Sequence, residues 1–261
     1  MTIRTSIGLA VLVVSTADAQ SLASRIKSAP DGEVRIAFAA REGICGDGES
    51  FIRDRASGPG NYITFNSWNG GKRWRERECL DGPVRVALRV RGGEVRSAKT
   101  YVGGDWRDAS GSVTDLELVS AKRAAEALIE LARTGATDDV IFAATIADSV
   151  TIWPALLGLA KDREVNRANR KQAVFWLSQA AGDKAAAGLE ELVDDDDEDR
   201  EVREQAVFAL SQLPRDEGVP ILVRTAKSNR DPSIRKKAMF WLGQSDDPRA
   251  LALFEEILSR P

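Results

Sequence analysis

The sequence predicts a multi-domain α plus β protein, in which an α-solenoid of helix pairs follows a small disulfide-linked β-rich domain. Three observations predict this. A repeat of 32 to 33 residues fills the second half of the chain, alternating apolar residues mark the first half, and both cysteines lie in the first half. The repeat is decisive, because a helix pair that recurs at a fixed period stacks along one axis into a solenoid.

Three copies of a fourteen-residue segment stand at residues 166–179, 199–212 and 231–244, and read NRANRKQAVFWLSQ, DREVREQAVFALSQ and DPSIRKKAMFWLGQ. A second set of positions keeps the same step, namely Leu156, Leu189, Leu222 and Phe254, and Ala160, Val193, Ala226 and Leu258. Two helical signatures in one period indicate a helix pair in each repeat. In the copy at 199–212 one helical face is apolar and is predicted to be buried, namely Val202, Ala206, Ala209, Leu210 and Leu213.

The start of each copy predicts a capped helix. Asp199 and Asp231 stand where a carboxylate accepts hydrogen bonds from free N–H groups and meets the positive end of the helix dipole. Four residues later an arginine lies on the flank of the apolar stripe, at Arg170, Arg203 and Arg235. We expect each arginine to reach the capping acid of a neighbouring repeat, so that stacked copies form a ladder of Asp–Arg pairs.

The pattern D-x-x-[VI]-R-x-x-A-x-x-x-L-[SG]-Q resembles the HEAT repeat family and is similar to its short, phycobilisome-lyase-like variety. The resemblance covers about residues 115–261, and it implies an α-solenoid that serves as a protein-binding scaffold. Relatives of the deoxyhypusine hydroxylase kind hold iron through paired His-Glu motifs, and this chain contains no histidine. Nothing beyond the repeat itself points to a bilin lyase. We therefore expect no enzymatic activity, cofactor or metal.

Residues 1–19 are predicted to be a cleaved secretory signal peptide. Arg4 supplies the positive start, residues 7–14 form a short apolar core, and Ala17-Asp18-Ala19 is an A-x-A cleavage site. No later segment has the length and apolar character of a membrane span, so we expect no membrane insertion. The mature protein is expected to be exported, either to a periplasm or outside the cell.

The β-rich domain is predicted to cover residues 20–110, where no family is recognised. Cys45 and Cys79 are the two cysteines of the chain, and in an oxidising compartment a disulfide is their simplest interpretation. A reactive thiol or a metal pair is the alternative, although no histidine or third cysteine is present to complete such a site.

Within this domain, residues 21–27 are predicted to form a short helix, and alternation predicts a strand that buries Val34, Ile36 and Phe38. Residues 62–65 are a second candidate strand. Residues 83–102 predict a hairpin with a two-residue turn at Gly92-Gly93. In the register that this turn sets, Arg89 is expected to lie opposite Arg96.

The solenoid is predicted to cover residues 111–261 with about four and a half helix pairs. Its first pair, at 116–133 and 138–148, has Thr137 where the later copies have arginine, and we interpret it as a degenerate capping repeat. Residues 248–258 are predicted to be a lone helix at the far end.

A row of arginines on the hairpin suggests an anion-binding site, formed with a nearby loop by Arg73, Arg75, Arg77, Arg85 and Arg89. The alternative is a sheet face that is solvated or packed against the acidic solenoid, and the alternation of charge that any half-exposed strand shows favours it. Residues 20–110 contain 16 Lys and Arg against 12 Asp and Glu, whereas residues 111–261 contain 20 against 27. This balance gives no reason to expect a nucleic-acid partner.

Two further segments have a functional and a structural interpretation. The acidic run Asp194–Asp199 offers the oxygen ligands of a calcium site, but it lacks the glycine and spacing of an EF-hand. Its position in a standard loop before a helix favours a solvated loop. Ser24 and Lys27 match the nucleophile motif of penicillin-recognising enzymes, without the K-[ST]-G motif that accompanies it.

The sharpest binding hypothesis concerns a column of equivalent phenylalanines, namely Phe175, Phe208 and Phe240. They lie off the apolar stripe, toward the charged residues Lys171, Glu204 and Lys236. The second helices of a HEAT array line its concave surface, so this column is expected to form the floor of a partner-binding groove. The alternative is that each ring packs against the next repeat. Three residues lie within the stripe and are expected to be core, namely Trp176, Ala209 and Trp241.

Two functions follow from these patterns. The first is an exported scaffold that binds a protein partner through the solenoid. The second is an enzyme, or a receptor for a small ligand or anion, with its site in the β-rich domain. A cluster of Asp47, Arg73, Trp74 and Arg77 around one deep cleft would favour the second function, and an open groove along the solenoid would favour the first.

Overall fold

A computed structural model of the chain describes residues 20–49, 51–55, 62–63, 79–136, 139–180 and 184–259. A β-rich part is followed by a run of helices, as the sequence predicts. The elements of the first part are α1 (Leu22–Lys27), β1 (Gly32–Phe38), β2 (Ile44–Gly46), β3 (Ile52–Asp54), β4 (Tyr62–Ile63), β5 (Val84–Arg91), β6 (Glu94–Val102) and β7 (Val113–Leu118).

The main sheet has the strand order β6-β5-β1-β7, with β7 parallel to β1 and the other neighbours antiparallel. The alternating apolar residues of β1 and β5 are all buried, namely Val34, Ile36, Phe38, Val84, Val86, Leu88 and Val90. Gly92 and Gly93 have φ angles of 60° and 75°, which the two-residue turn between β5 and β6 requires. The predicted hairpin is confirmed.

The register of this hairpin differs from the expectation at one point. A bulge shifts the pairing so that Arg89 lies opposite Ser97 and Val90 lies opposite Val95. The expected Arg89–Arg96 pair is therefore wrong, because Arg96 is the extra residue of the bulge and the turn alone does not reveal an insertion. Arg96 instead forms an ion pair with Glu94 at 2.7 Å.

The strands β2, β3 and β4 form a second, antiparallel sheet. Cys45 of β2 is bonded to Cys79, with their Cα atoms 5.3 Å apart, so the predicted disulfide is confirmed. Beside it, the backbone of Leu80 exchanges two hydrogen bonds with Gly46, at 2.8 and 3.0 Å. The candidate strand at 62–65 is observed at Tyr62–Ile63, and its last two residues lie outside the described residues.

The helices of the second part are α2 (Ala121–Arg133), α3 (Asp139–Thr145), α4 (Trp153–Lys161), α5 (Arg167–Ala180), α6 (Ala185–Asp194), α7 (Arg200–Ser211), α8 (Arg215–Ser228), α9 (Pro232–Gly243) and α10 (Pro248–Leu258). The predicted start of the first helix at residue 116 is wrong. Residues 113–118 form β7 on the edge of the sheet, and Ser120 caps α2 by accepting a hydrogen bond from the backbone of Arg123. Pairing with β1 decides this boundary, and the helical period of a sequence does not reveal such long-range pairing. The end predicted for α3 at residue 148 is also too late.

The helices stack in two layers. The first layer contains α2, α4, α6, α8 and α10, and the second contains α3, α5, α7 and α9, since each helix packs on its pair partner and on the equivalent helix of the next pair. Within the described residues this makes four pairs and one further helix. The pair α2–α3 packs against the main sheet, and the buried apolar residues of both parts form one continuous core.

The apolar stripe of α7 is buried as predicted, from Val202 to Leu213. Trp176 and Ala209 are buried as well. Trp241, which was expected to be core, is only half-buried, because fewer neighbours cover this end of the second layer. Among the described helices, none combines the length and the apolar character needed to cross a membrane.

Candidate functional site

The second-layer helices carry a row of aromatic rings that are in contact from one repeat to the next. Neighbouring ring centroids lie 4.9 to 6.5 Å apart, within the range of favourable aromatic pairs. We call this set the aromatic row, and its members in order are Phe142, Trp176, Phe175, Phe208, Trp241 and Phe240.

The phenylalanines of the aromatic row become more exposed from the first repeat to the last. Phe142 is fully buried, Phe175 and Phe208 are half-buried, and Phe240 is 56% exposed. Phe208 stacks parallel to Phe175 and also contacts Trp241. The phenylalanine column therefore packs between repeats and also leaves part of its surface in solvent, so the two interpretations of the column are not exclusive.

The charged residues beside the column differ in their pairing. Lys171 forms an ion pair with Glu201 of the next repeat at 3.2 Å, and Glu204 forms one with Lys237 at 3.2 Å. Lys236 is exposed and forms no ion pair with any described residue. Among the described residues, the charges beside Phe175 and Phe208 are therefore paired, whereas the cation beside Phe240 is not.

The first arginine of the predicted ladder behaves as expected. Arg170 of α5 is buried and donates to Asp199, the acid at the start of α7 in the next repeat. It also donates to Glu198 at 2.5 Å, and Glu198 is buried too. This pair joins two repeats through a buried contact.

The second arginine uses a different acceptor. Arg203 is buried, but it donates to the carbonyl of Val193 at 3.0 Å, and to Oδ1 of Asp196 and Oδ1 of Asn229, both at 3.2 Å. Asp231 instead caps its own helix, and the hydrogen bond from the backbone of Ser233 lowers the pKa of its carboxyl group. The ladder is thus wrong at this step, because Arg203 pairs with Asp196 of the loop before its own helix and with Asn229 of the next loop, and not with the capping acid Asp231.

The prediction for the third arginine is also wrong. Arg235 donates to the carbonyls of Asn229 and Arg230, at 2.7 and 3.1 Å, both within its own loop. No acid of a following repeat meets it among the described residues.

The acidic run Asp194–Asp199 is a junction between repeats. Asp195 accepts a hydrogen bond from Arg163 of the preceding repeat at 2.9 Å, and Asp196 accepts one from Arg230 of the following loop at 3.0 Å. Two more acids of the run hold the buried arginine of α5. Four of the six carboxylates therefore meet arginines, and Asp194 accepts a hydrogen bond from Asn229 at 3.1 Å. No cluster of metal-ligating side chains is found in the described part of the chain.

The outer face of the main sheet borders a cleft of about 660 Å³. Arg89 and Lys99 of the hairpin lie on its floor, and loop residues such as Glu49, Trp106 and Arg107 form its walls. Five carboxylates and three cations line it, so it lacks the field of one sign that concentrates anions. Burial raises the pKa of the Tyr101 phenol in this wall.

The arginines of the suggested anion site already have protein partners where they are described. Arg85 donates to the carbonyl of Gly103 at 3.0 Å, and its guanidinium carbon lies 5.9 Å from the ring centroid of Trp106. Arg89 donates to Ser110 at 3.0 Å. The anion site stays a prediction, because its other members, Arg73, Arg75 and Arg77, lie outside the described residues, as does Trp74.

Two other residues singled out in the sequence have local contacts. Asp47 lines the cleft, but its carboxylate accepts hydrogen bonds from the backbone of Glu49 and Phe51, at 2.9 and 3.0 Å, and so fixes a turn. Ser24 accepts a hydrogen bond from the hydroxyl of Ser21 at 3.0 Å, where α1 begins.

One buried polar residue was missed by the sequence patterns. Asn169 is buried and donates to the carbonyl of Ala132 at the end of α2 and to that of Ala136 in the loop after it, both at 2.8 Å. Its amide thereby ties the start of α5 to the last turn of α2 and to the loop that follows it. The repeat pattern indicates this burial, because Asn169 occupies the position of the buried apolar residues Val202 and Ile234.

The two-layer stack behind a β-rich region defines the class of the molecule as a helical repeat solenoid. Residues 195–261, which contain α7 to α10, match the family model of HEAT repeats, and the N-terminal region matches no family. HEAT repeats generally mediate protein–protein interaction. No curated protein matches the chain.

Proposed function

We propose that the chain is an exported scaffold that binds a protein partner through the aromatic row and its flanking charges. The observation that carries the proposal is the emergence of this row at the surface, from buried Phe142 to exposed Phe240. Protein interfaces are enriched in aromatic residues, and their strongest contacts are aromatic side chains within well-packed surroundings. A row that is already packed between repeats offers rigid rings, whose ordering costs little on binding.

Export has two supports. Residues 1–19 have the pattern of a signal peptide, and the Cys45–Cys79 disulfide is of the kind that persists in oxidising compartments. The test is the mass of the protein recovered from the envelope or medium of its own cells. We expect a chain that begins at Gln20, and a chain that retains residues 1–19 would contradict export.

Photo-crosslinking tests the binding face. A photoreactive phenylalanine at Lys171 or Glu204, beside the column, should form an adduct with one protein in intact cells. The matched control is Arg224, which is also charged and also forms an ion pair but lies on first-layer helix α8. Equal adducts at Arg224, or none at the first two positions, would contradict the proposed face.

A second candidate function is a small-ligand receptor in the β-rich region, and the cleft beside Arg89 is the observation that favours it. Titration with inorganic phosphate tests the anion version. A receptor should show saturable binding that Arg89→Ala removes, and absence of binding to the unchanged protein would exclude that version.

A further inference from the structure

Two copies of the repeat end with a glutamine that packing between repeats does not use. Gln179 and Gln212 are exposed, the first in the last turn of α5 and the second directly after α7. Each side-chain amide donates to the hydroxyl of the preceding serine, at 3.3 Å for Ser178 and 3.1 Å for Ser211. Within the described part of the chain, neither amide bonds to another repeat, so these glutamines do not hold the solenoid together.

The preceding serine fixes the direction of each amide. The hydroxyl of Ser178 donates to the carbonyl of Phe175 at 2.7 Å. The hydroxyl of Ser211 donates to the carbonyl of Phe208 at the same distance. A glutamine amide has two N–H donors and one carbonyl acceptor, and the serine uses one of the donors. The second N–H and the carbonyl therefore stay available at a fixed place beside each phenylalanine.

We define the ring–amide surface as Phe175, Gln179, Phe208 and Gln212. Each phenylalanine lies four residues before its glutamine, so the two side chains share one face of their helix. The helices α5 and α7 lie in the middle of the second layer, since α3 packs on α5 and α9 packs on α7. The exposed groups of this surface therefore belong to helices that have a second-layer neighbour on each side.

The charges that border the ring–amide surface are already paired. Lys171 pairs with Glu201, and Glu204 pairs with Lys237, both at 3.2 Å. A ligand with charged side chains gains little here, because it would have to break these pairs first. The groups with spare hydrogen-bonding capacity are the two neutral amides. A peptide group matches them, because it also has one N–H donor and one carbonyl acceptor.

The spacing of the two rings fits an extended peptide. The ring centroids of Phe175 and Phe208 lie 6.5 Å apart, in nearly parallel planes. An extended chain rises about 3.2–3.4 Å per residue, so side chains at positions i and i+2 lie about 6.4–6.8 Å apart on one side. A helix has a similar step of about 6.0 Å between positions i and i+4, but its main-chain groups bond within the helix. The two amides therefore favour the extended chain.

We propose that the ring–amide surface binds an extended segment of the partner protein, which runs across α5 and α7. Apolar side chains at positions i and i+2 of the segment pack on Phe175 and Phe208, and its peptide groups bond to Gln179 and Gln212. This inference rests on the proposed function, because it names the kind of segment that the aromatic row takes from its partner. A segment without helix or strand in the free partner has the unpaired main-chain groups that the amides require.

The probe is a display library of short random peptides, selected on the immobilised mature chain. An enriched peptide is synthesised with a fluorescent label, and its affinity is measured by fluorescence polarisation. Alanine substitutions along that peptide should weaken binding most at positions i and i+2. Sensitive positions at i, i+3 and i+4 would assign a helix and overturn the proposal. A library that yields no specific peptide would overturn it as well.

Substitutions in the protein locate the binding. Gln212→Ala should weaken binding at least about threefold, because it removes one hydrogen bond to the peptide. Ser211→Ala should also weaken it, because the amide then loses its fixed direction. The matched control is Ser228→Ala, since Ser228 also donates to a carbonyl of its own helix, at 2.9 Å, but lies on first-layer helix α8. None of the three side chains is buried, so these changes leave the fold intact. Selected peptides that bind all three variants equally well contradict the ring–amide surface.

Ester replacement tests recognition of the main chain. An ester in place of one peptide bond removes a single N–H donor and keeps the length of the peptide. The ester that faces Gln212 should weaken binding to the unchanged protein more than binding to Gln212→Ala, because the variant has already lost that hydrogen bond. Equal weakening by every ester in the two proteins contradicts the inference.

The outcomes separate this inference from the proposed function. The peptide assays involve no natural partner, whereas the crosslinking test depends on one. Adducts at Lys171 or Glu204 together with a helical pattern of sensitive positions would refute the extended segment and leave the proposed function standing. Absence of adducts would contradict the proposed function whatever the peptides show.

Discussion

Replacing Arg170 with alanine tests whether buried ion pairs hold consecutive repeats together. The side chains of Arg170 and Glu198 are 4% and 2% exposed, and their charged atoms lie 2.5 Å apart. The same arginine donates to Asp199, whose side chain is half-exposed. The substitution therefore leaves one fully buried carboxylate without its cation, whereas water can solvate the other.

The magnitude follows from this difference in burial. Removing one partner of a buried pair costs about 3–5 kcal/mol of unfolding free energy, because an uncompensated charge stays in a poorly solvated site. The control is Arg167→Ala on the same helix, since Arg167 and Glu201 form a half-exposed pair at 3.0 Å. Exposed pairs contribute about 0–1 kcal/mol, so the control should change stability little.

The assay is urea unfolding of the mature chain, followed by far-UV circular dichroism and tryptophan fluorescence. A combined change of Arg170→Met and Glu198→Gln should recover most of the loss, because no charge is then buried and the amide still accepts the hydrogen bond that Asp199 donates from its backbone. The reasoning is refuted if Arg170→Ala costs no more than Arg167→Ala, or if the double change is as damaging as the single one.

Three other predictions follow from the structure. Phe208→Ala should lower the unfolding free energy by about 2 kcal/mol, roughly half the loss expected for a fully buried ring, and Phe240→Ala should lower it by under about 1 kcal/mol. Equal shifts of the urea midpoint in the two variants would contradict this difference in burial. Replacing Cys45 and Cys79 with serine should cost about 3–4 kcal/mol in the chain-entropy model, and a melting temperature insensitive to reductant would contradict this. Hydrogen bonds from the side chain and backbone of Arg249 lower the pKa of Asp247 from 3.8 to about 2, below its value in the unfolded chain. The stability that this carboxylate contributes is thus complete above about pH 4 and is lost as the pH falls toward 2. The difference in melting temperature between the unchanged protein and Asp247→Asn should therefore shrink over that range. A difference that stays the same down to pH 2 would contradict this.

The sequence alone determined the periodic features of this protein. The repeat of 32 to 33 residues predicted the helix pairs, the buried stripe and the column of phenylalanines, because side-chain direction along a helix follows from local geometry. Alternation predicted the hairpin and its buried face for the same reason. The disulfide followed from two cysteines and an expected oxidising compartment.

The candidate site was predicted in part. The sequence placed Phe175, Phe208 and Phe240 in one column, but it left open whether their rings packed between repeats or faced solvent. The structure gives a graded answer, because exposure depends on whether a following helix covers each ring. Glu198 also escaped notice, since a carboxylate in an acidic run gives no sign that an arginine of another helix buries it.

Tertiary structure alone decided the features that depend on atoms distant in the chain. The bulge at Arg96 and the strand at residues 113–118 arise from pairing with other strands. Arg203 could be placed beside the stripe from the sequence, but its choice of Asn229 over Asp231 depends on how the next loop is positioned. Leu258 is 84% exposed for the same reason, although Ala160, Val193 and Ala226 are buried at the equivalent positions of earlier repeats. Its sequence position is that of a buried residue, and burial is a property of the neighbour that covers a side chain rather than of the side chain itself.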